Sequence, residues 1–300
     1  MSNLFAIGGD EMDFKECSLC EDFLSFFNND EQAFRHTNFY HYTSLENVDR
    51  ILKAKQIRLT ALSKSANDLV EKDNYKKLGD NIFSLCFSTG TSECLPLWYL
   101  YSGIDGRGAR IGLKKKMFRQ LYENPVFILQ EVESSYPYNA IGKPILLKTT
   151  DFIFQCRDIL YIGKDSQKVN LYRVKYNGQV TNNLTKDIAD KLQSEYQRFI
   201  KGLIWFYEKE TRLQVEVTNK ELLEPAKNYV VILKLDDVYD DISVRLAPEY
   251  EEIETEIFEK YDGIKDWAYK KLQTSEFAGQ LHMGLKEKLC RECHQKMEDN

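Results

Sequence analysis

The sequence predicts an α+β fold, and two observations support this. Strands and helices are mixed without the strict alternation of a doubly wound fold, and strands follow one another directly over 203–217, 228–235 and 241–248. The fingerprints GxGxxG and GxxxxGKS/T are both missing from the sequence, which argues against the two commonest nucleotide-binding loops. With 300 residues, 43% of them hydrophobic, the chain can form one large domain or two small ones.

The first half of the chain is predicted to contain short strands and short helices. Residues 1 to about 35 form a helical extension, and FYHYTS (39–44) is the first strand. Apolar residues then recur at helical spacing behind Ser44, a typical N-cap residue. The next predicted elements are strand IRLTAL (57–62), a polar loop (63–81), strand IFSLCFST (82–89), helix CLPLWYLYSG (94–103) and strand GRGARIGLKK (106–115).

The second half is predicted to hold further helices and most of the remaining strands. Its predicted elements are helices 113–124 and 185–202, loops YPYNAIGKP (136–144) and YNGQVTNN (176–183), and the three consecutive strands given above. A charged tail follows and is mainly helical. The chain is therefore predicted to comprise an N-terminal extension (1–35), a central domain (36–248) and a helical C-terminal extension (249–300).

Charge and composition exclude several classes of protein. The chain has 41 basic and 47 acidic residues, a net charge of −6, so it is not a general polyanion binder. Its local basic cluster is predicted to be the solvated start of a helix and consists of Arg107, Arg110, Lys114, Lys115, Lys116 and Arg119. The start, MSNLFAIGGDEMDF, lacks a signal-peptide pattern, and no stretch approaches about 18 apolar residues. A cytoplasmic protein that does not contact the membrane is expected.

The segment WFYEKETRL (205–213) places four charged residues between aromatic and aliphatic ones. If 205–217 is a strand, its side chains alternate between two faces. One face becomes apolar toward its end and is predicted to face the core: Tyr207, Lys209, Thr211, Leu213, Val215 and Val217. Glu208, Glu210 and Arg212 then share the polar face, with alternate residues about 6–7 Å apart.

Two interpretations of this polar face are open. It can be a plain cross-strand ladder of opposite charges. Alternatively it is a site, in which a glutamate on a rigid strand hydrogen-bonds a ribose hydroxyl and stabilises an electron-poor anomeric carbon. In the second interpretation the carboxylate acts through charge placed where the transition state develops it.

Four segments, in this order, resemble a large and mostly uncharacterised bacterial family. They are YHYTS (40–44), IRLTALSKSANDLVE (57–71), IFSLCFSTGTSECLPLWYLYSGIDGRGARIGL (82–113) and WFYEKETRL (205–213). The match spans roughly residues 39 to 248, with a variable insert over about 125–200. This family is in turn similar to the ADP-ribosyltransferase superfamily. The resemblance implies a split mixed or antiparallel β core with flanking helices.

The resemblance also implies cofactor-binding roles on two strands. His41 would hydrogen-bond the ribose next to the adenine of NAD, with Tyr42 and Thr43 beside it in the site. Ser88, at the end of the central strand, would face the nicotinamide ribose. Without the resemblance, His41 is a structural histidine of a strand and Ser88 is a strand-end cap.

The remaining site residues follow from the same resemblance. Tyr101 would stack on the nicotinamide ring, supported by Trp98 three residues earlier. Both can instead be core aromatics, which is the favoured interpretation for Trp98. Glu210 matches the catalytic glutamate. Glu208 resembles the first position of the E-x-E pattern of transferases that modify arginine, where it orients the acceptor. Arg212 would pair with a carboxylate or with the pyrophosphate.

The implied function is NAD-dependent ADP-ribosyl transfer by a bacterial toxin or anti-phage effector. NAD is the substrate, and the target is a macromolecule, with RNA or DNA favoured over protein. An antitoxin or chaperone partner is expected. Two alternatives stay open: an NAD glycohydrolase, which transfers ADP-ribose to water, and a non-catalytic binding or sensor module that keeps the fold.

Seven cysteines are an odd number, and four of them lie in two C-x-x-C pairs. The pairs are Cys17 with Cys20, and Cys290 with Cys293. Four thiolates satisfy tetrahedral zinc, and chain termini are often close, so one structural zinc joining the two ends is one hypothesis. Ordinary buried thiols are the other. A redox dithiol is disfavoured because neither pair follows a strand of a βαβ unit.

Overall fold

The structure is a computed structural model of the chain, and it describes residues 34–65, 80–90, 92–101, 108–133, 139–162, 175–176, 179–180, 198–250, 255–268 and 272–278. Within these residues the protein has a mixed α/β fold, with a large, mostly antiparallel open β-sheet and few helices. The predicted α+β class is confirmed at this level. Every helix in the described part of the chain is too short or too polar to cross a membrane.

Strands make up most of the regular structure in these residues. In chain order they are β1 (Asn38–Ser44), β2 (Gln56–Ala61), β3 (Ile82–Ser88), β4 (Gly108–Lys114), β5 (Phe127–Val132), β6 (Ala140–Leu146), β7 (Phe152–Asp158), β8 (Leu160–Ile162), β9 (Lys175–Tyr176), β10 (Gln179–Val180), β11 (Ile200–Gly202), β12 (Glu210–Val217), β13 (Asn228–Lys234), β14 (Ser243–Leu246) and β15 (Leu272–Gln273).

The helices of the described residues are short. The α-helices are α1 (Leu45–Ala54), α2 (Leu62–Ser65), α3 (Leu95–Tyr101), α4 (Lys115–Glu123), α5 (Thr255–Lys260) and α6 (Asp262–Ala268). Three 3₁₀ turns cover Leu203–Glu208, Lys220–Leu222 and Tyr239–Asp241. The first of these turns immediately precedes β12 and therefore belongs to the segment that the sequence singled out.

The chain divides into two compact units, which are described separately. The first unit contains the described residues of 1–35, 60–85 and 149–226, and the second contains those of 36–59, 86–148 and 227–300. Each unit is thus built from segments distant in sequence. His41 belongs to the second unit, whereas Glu210 belongs to the first.

In the second unit, β4 has an antiparallel partner along each of its edges. Its pairing with β1 covers both strands completely, and β14 pairs along the opposite edge. Three aromatic rings fill the core beside β1. Phe39 stacks on Phe118 with ring centroids 3.7 Å apart, and Phe87 meets Phe118 edge-on at 5.3 Å. All three side chains are buried, so they anchor β1 and β3 against α4.

Helix α1 begins where its sequence predicts. The Ser44 side chain accepts a hydrogen bond from the Asn47 backbone N–H at the first turn, which confirms Ser44 as the N-cap. Lys55 closes the helix in the left-handed conformation, with φ of 50°. The helix packs against α6, where the backbone N–H of Gly263 donates to Asp49 Oδ1 at 2.7 Å. A Cβ at Gly263 would lie 2.4 Å from the Asp49 carbonyl oxygen, so this approach requires glycine.

The first unit is organised around β12. This strand pairs antiparallel with β7, from Thr211 opposite Asp158 to Val217 opposite Phe152. The short strand β11 pairs in parallel with β8. Between β11 and β12 the chain makes the 3₁₀ turn that ends at Glu208, and Lys209 then takes a φ of 43°. This sequence of strand, turn and strand brings residues 201, 208 and 210 into one region.

Several predicted elements agree with the structure, and others were wrong. The strands predicted at 39–44, 57–62, 82–89 and 228–235 and the helix predicted at 113–124 are confirmed to within about two residues at each end. The strand predicted at 203–217 begins only at Glu210, because its first six residues form the 3₁₀ turn. An apolar run such as LIWFY does not distinguish these conformations by periodicity.

Three further predictions were wrong in the second half. Residues 200–202, predicted as the end of a helix, form β11. Parts of both predicted loops form strands, namely β6 and the β9–β10 hairpin. The described part of the tail contains α5, α6 and the two-residue strand β15. Gly142 and Pro144 suggested a loop, but β6 is an edge strand with β5 as its partner. An edge strand tolerates proline because the missing N–H is not needed for pairing. The predicted N-terminal helix and most of helix 185–202 lie outside the described residues.

Candidate active site

Four charged side chains of the first unit form a buried cluster, which we call the Glu208–Glu210 cluster: Lys201, Glu208, Glu210 and Arg212. Lys201 Nζ lies 2.5 Å from Glu208 Oε2 and 3.3 Å from Glu210 Oε2. Arg212 Nε donates to Glu210 Oε1 at 2.7 Å. Each of these side chains is no more than 5% exposed. Two cations and two carboxylates therefore meet away from solvent.

The sequence predicted that Glu208, Glu210 and Arg212 share one face of a single strand, and the backbone differs from this at Glu208. Glu210 and Arg212 do share one face of β12, together with Gln214 and Glu216, as alternation requires. Glu208 does not lie on this strand. It ends the preceding 3₁₀ turn and reaches the cluster because the chain changes direction at Lys209.

The cluster is also not a ladder of opposite charges across β12 and β7. The residue in register with Arg212 on β7 is another arginine, Arg157. The cation that joins the two glutamates instead comes from β11, as Lys201. The edge of β12 that pairs with β7 therefore has no opposite charges in register, which does not support the interpretation as a plain cross-strand ladder.

The Arg198 backbone carbonyl fixes the far side of the cluster. It accepts hydrogen bonds from Arg212 Nη1 at 2.9 Å and from Gln214 Nε2 at 3.2 Å. The Arg198 guanidinium forms an ion pair with Glu216, at 2.5 Å. Arg212 is therefore held at both ends, by Glu210 and by this carbonyl, and its orientation on the buried face is determined.

The protonation of Glu208 is shifted by its surroundings. Burial, followed by the negative charge of Glu210, raises the pKa of Glu208 from its usual 4.5 to about 7, although Lys201 and Arg212 act in the opposite direction. Glu210, by contrast, accepts a hydrogen bond from a cation at each of its oxygens. Two neighbouring carboxylates in such different environments are typical of acid–base pairs in enzymes.

This pKa predicts how stability depends on pH. The folded state keeps the Glu208 proton up to about pH 7, whereas the unfolded chain releases it near 4.5. Protonated Glu208 therefore adds to the free energy of unfolding. This contribution is complete below about pH 4.5 and is lost as the pH rises through 7. The loss is on the order of 3 kcal/mol. Urea unfolding at pH 5 and pH 8 should show this loss in the wild type and a much smaller one in Glu208→Gln. Glu221→Gln, at an exposed site, should behave as wild type. If the unfolding free energy falls equally between the two pH values in wild type and Glu208→Gln, the raised pKa of Glu208 is refuted.

In the second unit, His41 lies on β1 and is oriented by the neighbouring strand. Its Nδ1–H donates to the Cys86 carbonyl at 3.0 Å, and its ring meets Phe87 with centroids 6.0 Å apart. Burial lowers the pKa of His41, while the bond to Cys86 acts in the opposite direction. The imidazole is therefore neutral at pH 7, and Nε2 is a hydrogen-bond acceptor.

Tyr42 faces the opposite side of β1 and joins a second buried cluster. Its hydroxyl accepts hydrogen bonds from Arg110 Nη1 at 3.2 Å and from the Cys94 backbone N–H at 3.3 Å. Its ring meets Trp98 edge-on, with centroids 4.7 Å apart. Arg110 was predicted to be solvated, but it is buried between apolar neighbours on β4, and its guanidinium lies 4.1 Å from the centre of the Tyr40 ring. That prediction was wrong because the helix begins only at Lys115.

Glu93 is the centre of this second cluster, which we call the Glu93 cluster, and sequence reasoning missed it. It accepts hydrogen bonds from Trp98 Nε1, Arg245 Nη1, Ser275 Oγ and the Glu276 backbone N–H, at 2.5–3.0 Å. Burial alone would raise the pKa of Glu93, but the bonds from Ser275, Arg245 and the Glu276 backbone, with the charge of Arg110, lower it. The signal in the sequence was the presence of Arg110 and Arg245 within strands, since a buried arginine is normally paired with an acidic side chain.

The structure brings together some predicted site residues and separates others. Tyr42 contacts Trp98, but His41 lies on the other face of β1. Thr43 is on the His41 face, and its Oγ1 accepts a hydrogen bond from Asn47. Ser88 pairs with Tyr40 at the end of β3, hence on the face of Tyr42, and Tyr101 ends α3. The predicted cofactor residues of β1, β3 and α3 belong to the second unit, whereas Glu208, Glu210 and Arg212 belong to the first.

The zinc hypothesis concerns residues outside the described part of the chain, namely Cys17, Cys20, Cys290 and Cys293. Within the described residues, no group of three or more histidine, cysteine or acidic side chains has the geometry to hold a metal ion. Cys86, Cys94 and Cys156 are not joined in disulfides. The chain matches no protein-family model and no curated protein.

Proposed function

We propose that the protein is an NAD-dependent ADP-ribosyltransferase and that the Glu208–Glu210 cluster is its catalytic centre. The observation that carries the proposal is a pair of buried glutamates with contrasting environments, joined by one lysine. Glu210 is the residue that the four-segment resemblance assigns as catalytic. The resemblance further implies the split β core of that superfamily and a toxin or anti-phage role in the cytoplasm.

In the proposed reaction, the bond between the nicotinamide nitrogen and ribose C1′ breaks. The bonding electrons leave with nicotinamide, and positive charge develops on the ribose. The Glu210 carboxylate stabilises this charge, an interaction that strengthens toward the transition state. A nucleophile of the target macromolecule then forms the new bond to C1′, so that ADP-ribose is transferred.

Glu208 is proposed to take the proton that the nucleophile loses. A general base is most effective when its pKa lies near the working pH, and the pKa of Glu208 is about 7. The two carboxylates then have separate tasks: Glu210 provides charge and Glu208 accepts the proton. Arg212 holds Glu210 in place through its Nε.

The NAD-binding roles are proposed from the four-segment resemblance. His41 Nε2 would accept a hydrogen bond from a ribose hydroxyl, since its Nδ1–H is already committed to Cys86. Thr43, on the same face of β1 as His41, would lie beside that ribose. The resemblance also assigns Ser88 to the nicotinamide ribose and Tyr101 to the nicotinamide ring, with Trp98 in support, although Ser88 and Tyr42 lie on the opposite face from His41. RNA or DNA is the favoured target, and an antitoxin or chaperone is the expected partner.

One observation favours a second candidate, a non-catalytic binding module. Both oxygens of Glu210 are occupied, one by Lys201 and the other by Arg212. To reach a ribose hydroxyl, Glu210 must share or exchange one of these bonds when NAD binds. A protein that kept the fold without the activity would retain this pairing as a purely structural ion cluster.

Incubation of the purified chain with adenine-labelled NAD separates the candidates. RNA, DNA and a cell lysate are offered in parallel reactions, and the label is followed on macromolecules and as free ADP-ribose. Transfer predicts label on one class of macromolecule. Free ADP-ribose alone would identify a glycohydrolase, and unchanged NAD in every reaction would support the non-catalytic module.

A further inference from the structure

Lys201 holds a special position among the cations of the first unit. Its Nζ contacts both carboxylates of the Glu208–Glu210 cluster, at 2.5 Å and 3.3 Å, whereas Arg212 donates to Glu210. It also lies 5.0 Å from the centre of the Trp205 ring. Its backbone is fixed by the pairing of β11 with β8, in register with residue 161. Lys201 of β11 thus holds the side chain of Glu208, from the 3₁₀ turn, next to the side chain of Glu210, from β12.

The charged groups around Glu208 come from each packed element. Strand β11 supplies Lys201, and β12 supplies Glu210 and Arg212. Next to them, Arg198 pairs with Glu216, and Arg157 of β7 is in register with Arg212. Among the described residues, Lys201 is a cation in hydrogen-bond contact with Glu208, so its removal should change the surroundings of Glu208 strongly.

A structural role alone does not require this arrangement. Burying a lysine with two carboxylates incurs a large desolvation cost, and well-packed apolar side chains of similar size often replace such clusters without loss of stability. Lys201 instead places one positive charge against both glutamates. An ammonium group shared by both carboxylates lowers the repulsion between them and fixes their separation.

We propose that Lys201 is a positioning residue of the reaction, which holds the two glutamates on one ammonium group and thereby keeps Glu208 as the base and Glu210 as the charged partner. The inference rests on the proposed function, because it assigns Lys201 to that site. Lys201 acts through the carboxylates and not on NAD. The direction of its influence is also defined, since its charge and its hydrogen bond both lower the pKa of Glu208.

Two substitutions separate charge from hydrogen bonding. Lys201→Gln keeps a donor but removes the charge, and Lys201→Arg keeps both. Lys220→Gln, at an exposed lysine of the same unit, is the matched control. The readout is the titration of Glu208 by ¹³C NMR of carboxyl-labelled glutamate, assigned by the signal missing in Glu208→Gln, together with the pH–rate profile of NAD turnover.

In Lys201→Gln, the midpoint of the Glu208 titration should rise by at least about one pH unit, and the pH–rate profile should move by the same amount. Lys201→Arg and Lys220→Gln should titrate within about half a unit of wild type. A Lys201→Gln titration and profile at wild-type positions would overturn the inference. If the wild-type protein does not turn over NAD, the proposed function fails, and Lys201 is then not a positioning residue of that reaction. The NMR titration would in that case report only the electrostatic effect of Lys201 on Glu208. If Lys201→Gln does not fold, a shift in Lys201→Arg as large as one unit would count against the inference.

Discussion

Glu210→Gln should abolish ADP-ribosyl transfer while leaving the fold intact. Glutamine has nearly the same shape as glutamate and can still accept a hydrogen bond from Arg212, but it carries no charge to stabilise the developing positive ribose. The barrier should rise by about 2.7–4 kcal/mol, a loss of roughly 10²–10³-fold in kcat. The measurement is the initial rate of label transfer from NAD at saturating substrate, with circular dichroism to confirm the fold.

Glu221→Gln is the matched control, because Glu221 is an exposed glutamate of the same unit. It should retain the wild-type rate. If the proposed toxicity is real, expression of the wild-type gene should also arrest growth while the Glu210→Gln gene is tolerated. A folded Glu210→Gln protein with a wild-type rate would remove Glu210 from the mechanism.

Glu93→Ala should destabilise the protein strongly. The Glu93 side chain is fully buried. It accepts hydrogen bonds from the side chains of Trp98, Arg245 and Ser275 and from the Glu276 backbone. Removing it takes a shared acceptor from these donors and leaves Arg110 as a buried cation without this neighbouring carboxylate. The expected loss is about 3–5 kcal/mol in the free energy of unfolding, measured by urea denaturation.

Glu123→Ala provides the comparison for this substitution. Glu123 is an exposed residue of α4 that pairs with Arg119 one turn away, an interaction worth about 0.3–0.5 kcal/mol. Its replacement should change the unfolding free energy by less than about 1 kcal/mol. A Glu93→Ala protein as stable as Glu123→Ala would show that the Glu93 cluster does not hold the second unit together.

Local signals in the sequence predicted much of the secondary structure. Ser44 marks the start of α1 because its side chain caps the first turn, and the apolar spacing behind it is helical. The strands at 82–88 and 228–234 were predicted because buried strands are continuous apolar runs. By contrast, Gly142 and Pro144 misled the prediction for β6, since an edge strand accommodates residues that central strands exclude.

The candidate site could be predicted only in part. The spacing of Glu210 and Arg212 identified a shared face of β12, because alternation is a local property. Lys201 could not be found in this way, since its contact with both glutamates depends on a turn and a three-residue strand without periodicity. Glu93 was missed for a similar reason: its partners Arg245 and Ser275 lie more than 150 residues away in sequence.

The most direct test of the central claim is nicotinamide release from NAD by the full chain, in the presence of RNA, DNA and lysate, measured from pH 5 to pH 9. If Glu208 and Glu210 form the catalytic pair, release should rise with an apparent pKa near 7 as Glu208 loses its proton. Glu210→Gln should release at least about 100-fold less at every pH. A folded wild-type protein that releases no nicotinamide at any pH, or that releases it equally well without the Glu210 carboxylate, would contradict the claim.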